Sequence, residues 1–196
     1  ALTPDDVTAM VVKYLEAEGV DVSALTPDQV EALHARMSQK SRYNLRRSRR
    51  MLEEAYSPVS FEEYQSENVP LTLIEEYFSL KKRSHDFEFD GPPEAYLRTH
   101  GVTDIYVMKN RDSVISVLLS CEQCRVVFLE NLTYNSAFSR FSPGQILYEY
   151  YLERLIEKKR TSLFLMGGDY EYKRRYGAIE DTVYFGFLYK GLRANW

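Results

Sequence analysis

Apolar positions recur mostly at helical spacing over the first hundred residues, and the period changes to that of strands from residue 104 to 132. Val7, Met10, Val11, Tyr14 and Leu15 form one stripe, closed by Gly19, and Val30, Leu33 and Met37 begin a second. Each stripe opens on Leu-Thr-Pro-Asp, at Leu2 and again at Leu25. Thr caps the helix, Pro takes the first helical position, where no amide partner is needed, and Asp or Gln reaches back. This is a capping device used twice and not a domain repeat. A basic helix follows from residue 39, with Leu45 and Leu52 one heptad apart on its apolar side. Residues 59–64 read as a short strand. Residues 71–82 read as a helix with Leu73, Ile74, Tyr77, Phe78 and Leu80 on one side. Gly91-Pro92-Pro93 breaks the chain before one or two helical turns at 94–98.

Three strands come next, at 104–109, at 113–120 after an Asn110-Arg111-Asp112 turn, and at 125–132, which together predict an antiparallel meander. A long helix over 143–159 buries Leu147, Tyr151, Leu152, Leu155 and Ile156 and leaves Glu149, Glu153, Glu157 and Lys158 polar. The wholly apolar run at 163–166 suits a central parallel strand. A short helix at 169–176 and a last strand at 182–189 complete the order. A crossover helix between the third and fourth of these strands makes that pair parallel within a mixed sheet. The expected fold is therefore α/β (α+β), a mostly antiparallel sheet flanked by helices. Residues 1–38 would form an N-terminal helical arm and 39–196 a single domain.

The 196 residues carry 44% hydrophobic and 28% charged side chains, enough for a real core, and sixteen tyrosines suited to half-buried strands and cleft walls. A net charge of −4 excludes a nucleic-acid polycation. One segment is nonetheless strongly basic: Arg42, Arg46 and Arg49 share a helix face, flanked by Arg47 and Arg50. It reads as a solvated face, as a contact for an anionic substrate or cofactor phosphate, or as a surface for RNA or anionic membrane. The only cysteines, Cys121 and Cys124, lack the four ligands of a structural zinc site and fall where a hairpin turn is expected, and no metal is implied. His34, His85 and His100 have no ligand spacing and receive no role. No apolar run reaches the ~20 residues a membrane span needs, and no signal peptide is visible, so a cytoplasmic location is expected. The chain opens on Ala rather than Met, which leaves room for sequence upstream.

Two stretches carry chemistry. Ser142-Pro143-Gly144-Gln145 opens a helix directly after a strand, where free amides and the helix dipole favour an anion. A simple N-cap followed by an N1 proline is compatible with that reading. Gly168-Asp169-Tyr170-Glu171-Tyr172-Lys173-Arg174-Arg175-Tyr176 then places a polar cluster at the end of the next strand, on the same edge of the sheet. The pairing predicts a transferase cleft.

This order and these residues resemble the GNAT acyltransferase superfamily, and within it the bacterial-type branch of CelD-like acetyltransferases and FemAB aminoacyl-transferases. The likeness spans roughly residues 40–190. It is carried by the Arg-rich helix, by the loop from Tyr134 to Gly144 with its Ser-Pro-Gly, and by the Gly-Asp-x-x-Tyr-Lys that begins at Gly168. Tyr176 stands where Trp is usual, and the strand at 163–166 lacks an Asp often found there. The resemblance implies a pantetheine arm between the splayed strands and a pyrophosphate on the amides around Ser142, Gly144 and Gln145. Glu130 would accept the nucleophile's proton, and Tyr172 would act as acid or position the substrate. Asp169 would cap the short helix and orient substrate, while Lys173, Arg174, Tyr134, Arg46 and Arg50 would contact donor or acceptor. The expected reaction is direct acyl transfer from acyl-CoA, or from an acyl carrier protein, to an amine or hydroxyl of a small-molecule or cell-envelope acceptor. Aminoacyl transfer from tRNA, and a non-catalytic binding or regulatory protein on the same fold, are the alternatives.

Overall fold

The computed structural model describes residues 37–84, 89, 91–111, 113–123, 126–160, 162–165, 173–174, 176 and 178. The expected helices before Met37, the expected strand at 182–189 and most of the short helix at 169–176 lie outside the described residues. Helix α1 (Gln39–Tyr56) starts where the Ser38 hydroxyl accepts the Ser41 amide at 3.1 Å. Its Leu45 and Leu52 are buried, as their heptad spacing requires, while Arg46, Arg47 and Arg50 are exposed. Strand β1 (Ser60–Gln65), helix α2 (Leu71–Ser84) and helix α3 (Pro93–Thr99) follow. The meander is β2 (Asp104–Lys109), β3 (Val114–Gln123) and β4 (Val126–Tyr134). A 3₁₀ helix (Ser136–Phe141), the long helix α4 (Pro143–Glu157) and β5 (Ser162–Phe164) complete the described elements.

The five strands lie in the order β1-β2-β3-β4-β5. Every pair is antiparallel except β4–β5, which is parallel because α4 crosses over between them. Alternation along the strands separates two cores. Tyr106, Met108, Ile115, Leu118, Val127 and Leu129 face α1, the 3₁₀ helix and α4. Ile105, Val107, Val114, Val117 and Leu119 face α2 and α3. With both faces covered, β2 and β3 read as nearly continuous apolar runs.

One expectation is corrected. Cys121 does not sit in a turn: β3 runs on to Gln123, and Cys121 pairs with Phe128 within the sheet. The longer cross-strand register continues the ladder past the point where the apolar pattern stops.

Candidate active site

The site lies along the outer edge of β4. Among the described residues, strand β5 pairs with Val126, Val127 and Phe128, and β4 continues to Tyr134 beyond that pairing. At the point of separation the β3–β4 register shifts: Leu119 faces Asn131 and Ser120 faces Leu129, which leaves Glu130 as an extra residue. This is a β-bulge, a device that bends a strand and re-aims a side chain. Beyond it the Asn135 amide donates to the Ile115 carbonyl at 2.9 Å, and the Ser116 hydroxyl donates to the Thr133 carbonyl at 2.8 Å. By antiparallel alternation, the Leu132 main-chain groups then face away from β3, into the opening.

Glu130 is the negative centre of a polar cluster on the α2–α3 face. Its side chain is 17% exposed and accepts from His100 Nδ1 at 2.8 Å. The His100 ring stacks on Tyr96 with centroids 4.0 Å apart. Burial, then Tyr96 and Glu130, push the Tyr77 hydroxyl far above its ordinary range. Burial lowers the Lys81 ammonium, with Glu130 opposing it. Burial and then Glu130 raise the Cys121 thiol, so it stays a thiol at neutral pH. Asn131 Oδ1, on the neighbouring residue, is buried without a partner among the described residues.

The other end of the site is the N-terminus of α4. The 3₁₀ helix is capped by Asn135, whose side chain accepts the Ala137 amide at 3.1 Å. It ends at Ser142, which has a left-handed backbone with φ 52°. Ser142 takes the N-cap place of α4, but its side chain makes no capping bond. Its amide donates to Ser139 O at 3.0 Å, and its carbonyl accepts Gln145 N at 3.0 Å and Ile146 N at 3.2 Å. Pro143 has no amide hydrogen. The Gly144 amide is thus the one left open among the described residues of this turn, while the Ser142 and Gln145 side chains are half-exposed. Gly144 is buried against β4: a Cβ there would lie 3.4 Å from Tyr134 Cδ1 and 3.6 Å from Leu132 Cδ2. Glu130 and Tyr134 are four positions apart on one strand, about 13 Å at the usual rise.

The remaining sequence candidates divide. Tyr134 is 42% exposed at the end of β4 beside Gly144. Lys173 is buried, Arg174 is exposed, and Tyr176 packs edge-on against Tyr148 of α4 at 4.9 Å. Arg46 is exposed on α1, and Arg50 pairs with Glu54 at 3.5 Å; neither contacts Glu130. Tyr172 and Asp169 lie outside the described residues. Two residues were missed by sequence reasoning. His100 gave no signal because its partner is thirty positions away on another element. Arg140 lies inside the loop that was singled out, and it places a guanidinium over the Phe141 ring at 4.5 Å, next to Ser142.

Residues 39–174 match the acetyltransferase (GNAT) domain family. The chain belongs to that family. Solved structures agree on the fold. An aminoglycoside acetyltransferase from an uncultured soil metagenomic sample, in complex with trehalose, is 16% identical with a TM-score of 0.52, over 67% of this chain and 97% of that one. The same enzyme in complex with sisomicin is 15% identical with a TM-score of 0.51, over 70% and 99%. An aminoglycoside N-acetyltransferase in complex with CoA is 12% identical with a TM-score of 0.50, over 68% and 95%. No curated protein matches the sequence. This GNAT chain has, among the described residues, no helix long and apolar enough to cross a membrane, and no group of three or more His, Cys, Asp or Glu placed to hold a metal ion.

Proposed function

We propose that this GNAT protein transfers an acyl group from acyl-CoA directly to an amine in a ternary complex. The observation that carries the reading is the coincidence of three features on β4: the loss of its β5 partner, the bulge at Glu130, and the glycine-packed N-terminus of α4 at its far end. An extended donor arm laid into the opening would meet the main-chain groups of Leu132, as an added strand would. The open Gly144 amide, the Ser142 and Gln145 side chains and the Arg140 guanidinium would hold its phosphates. Glu130 supplies the carboxylate that drives removal of the amine proton. The amine nitrogen then bonds to the thioester carbon, the C–S electron pair leaves with sulfur, and Tyr172 would return a proton to the thiolate. Asp169, Lys173, Arg174 and Tyr134 would line the acceptor side, while Arg46 and Arg50 would act at longer range. Amine acceptors are favoured over hydroxyls because a carboxylate in the site attracts an incoming ammonium. The sisomicin complex of a fold neighbour is in keeping with a small polyamine acceptor. A CelD-like or FemAB-like placement, a cytoplasmic location and a division into arm (1–38) and transferase domain (39–196) complete the reading.

The experiment is a thermal-shift and calorimetric titration with acetyl-CoA, longer acyl-CoAs and free CoA, followed by an acceptor panel of sisomicin, spermidine and an N-terminal alanine peptide. Binding stabilises the fold by mass action. A saturable shift that Gly144→Val abolishes supports the donor assignment, and chain-length preference identifies the acyl group. No shift with any CoA species, together with binding of a carrier protein or tRNA, would replace the donor.

A further inference from the structure

We propose that His100 is the proton-carrying member of the Glu130 site: its Nε2 takes the proton from the acceptor amine, and Glu130 holds and orients the ring for that task. The inference rests on the reading that Glu130 faces the acceptor. Two contacts orient the imidazole. Nδ1 is 2.8 Å from Glu130 Oε1, and the ring lies against Tyr96 at 4.0 Å and 27°. A carboxylate can only accept, so the nitrogen facing it bears the hydrogen. The neutral ring then has one lone pair, at Nε2, pointing away from Glu130.

Position favours the same division of labour. Glu130 is 17% exposed and His100 37%, so the imidazole is the outer partner and can release its proton to water. Imidazoles as a class change charge between pH 5 and 8, whereas an unassisted carboxylate is a weak base for an amine at neutral pH. Among the described residues, the other groups facing the pair are Tyr77 and Lys81 from α2, Tyr96 from α3 and Cys121 from β3, with Asn131 of β4 on the same face. Tyr77, Tyr96 and Cys121 are held protonated by burial, and so do not compete for the proton near neutrality. In the step, the nitrogen–carbon bond forms, the carbon–sulfur bond breaks with its electrons on sulfur, and the nitrogen's proton moves to Nε2, directly or through one water.

The test compares wild type, His100→Asn and Glu130→Gln, with acetyl-CoA as donor and the amine that turns over in the panel above. Asn keeps a donor toward Glu130 and suits a helix C-cap, but has no titrating nitrogen. Expected is a fall in kcat of about 10²-fold in His100→Asn, a pH–rate profile that differs from wild type, and an unchanged KM for acetyl-CoA. Millimolar imidazole should return part of the rate to His100→Ala. Wild-type rate and pH profile in His100→Asn, with Glu130→Gln crippled, would overturn the proposal and leave Glu130 as the base. Wild-type rates in both variants would remove the site itself. A measurement that needs no substrate stands beside these: nitrogen NMR of histidine-labelled full chain should show neutral His100 as the Nδ1–H tautomer. The Nε2–H tautomer would overturn the proposal, as no lone pair would then face outward. Should His100→Asn fail to melt cooperatively, the imidazole rescue and the tautomer decide.

Discussion

Glu130 shows how a bulge doubles up one face of a strand. Glu130 alternates with Leu129 onto the α2–α3 face, among Tyr77, Tyr96, Lys81 and His100, and the bulge brings Asn131, opposite Leu119, to that same face. We expect Glu130→Gln to lower kcat by about 10²–10⁴-fold with little change in melting temperature, measured by thiol release from acetyl-CoA. An unchanged kcat would show that the carboxylate has no part in the chemistry. Gly144 has a different logic. A methyl there meets only ordinary van der Waals contact with Tyr134 and Leu132, so Gly144→Ala should leave the fold as stable as before. Val adds branches toward Tyr134 and the open amide, and should weaken acetyl-CoA binding. Leu52, fully buried between α1 and the sheet, tests the core instead: Leu52→Ala should cost about 2–5 kcal/mol in urea unfolding. Leu52 and Gly144 were legible in the sequence through heptad spacing and a helix-start signal. Glu130 was legible as a carboxylate near the end of a strand, but its partner His100 was not, because a contact between α3 and β4 leaves no periodic trace.

Among the elements, α4 is tied to β1 by a polar clasp rather than by apolar packing alone. Glu63 accepts from Arg154 Nε at 2.6 Å and from the Tyr150 hydroxyl at 2.9 Å, and pairs with Lys158 at 3.0 Å. Lys158 also donates to the Tyr106 hydroxyl at 2.9 Å, and Arg154 bonds Glu157. Burial alone would raise the Glu63 carboxyl, but the bonds from Lys158, Tyr150 and Arg154 outweigh it and hold it below the usual range. A carboxyl lowered on folding contributes stability above its unfolded pKa, near 4.3, and loses it as pH falls through the folded value. Glu63→Gln should therefore be less stable than wild type by about 1–2 kcal/mol at pH 7, allowing for solvent screening. The gap should narrow below about pH 4; a gap independent of pH would mean that the charge contributes nothing. The basic helix α1 behaves otherwise. Its pairs Arg49–Glu53 and Arg50–Glu54 are exposed i,i+4 contacts of the kind that contribute a few tenths of a kcal/mol. Neutralising Arg46, Arg47 and Arg50 together should change stability little. If tRNA were the donor, the same triple change would flatten a steep salt dependence of RNA binding; we expect that dependence to be weak from the start.

For the molecule as a whole, two cores share one sheet, and α1 closes one of them. Tyr56 packs edge-on against Phe138 at 4.9 Å and Phe141 at 5.8 Å, the rings that anchor the approach to α4. A chain shortened to begin at Ser57 should lose cooperative thermal unfolding, because Phe138, Phe141 and the buried face of α4 would be opened to water; a sharp transition would show that α1 is dispensable. Within the described residues, the order from the basic helix to β5, the meander and the parallel crossover pair were already determined by the chain itself, since periodicities of 3.6 and 2.0 and turn residues are local properties. The place of the turn that opens α4 was local too, as Ser142-Pro143-Gly144 announces a helix start. Tertiary structure alone decided which amides of that turn stay open, because Ser139 O and Ser142 O claim the others. It also decided where β4 loses its neighbour, that the register slips by one residue there, and that His100 and Glu130 meet. Each of these is set by the matching of one element against another, a long-range condition that no window of sequence contains.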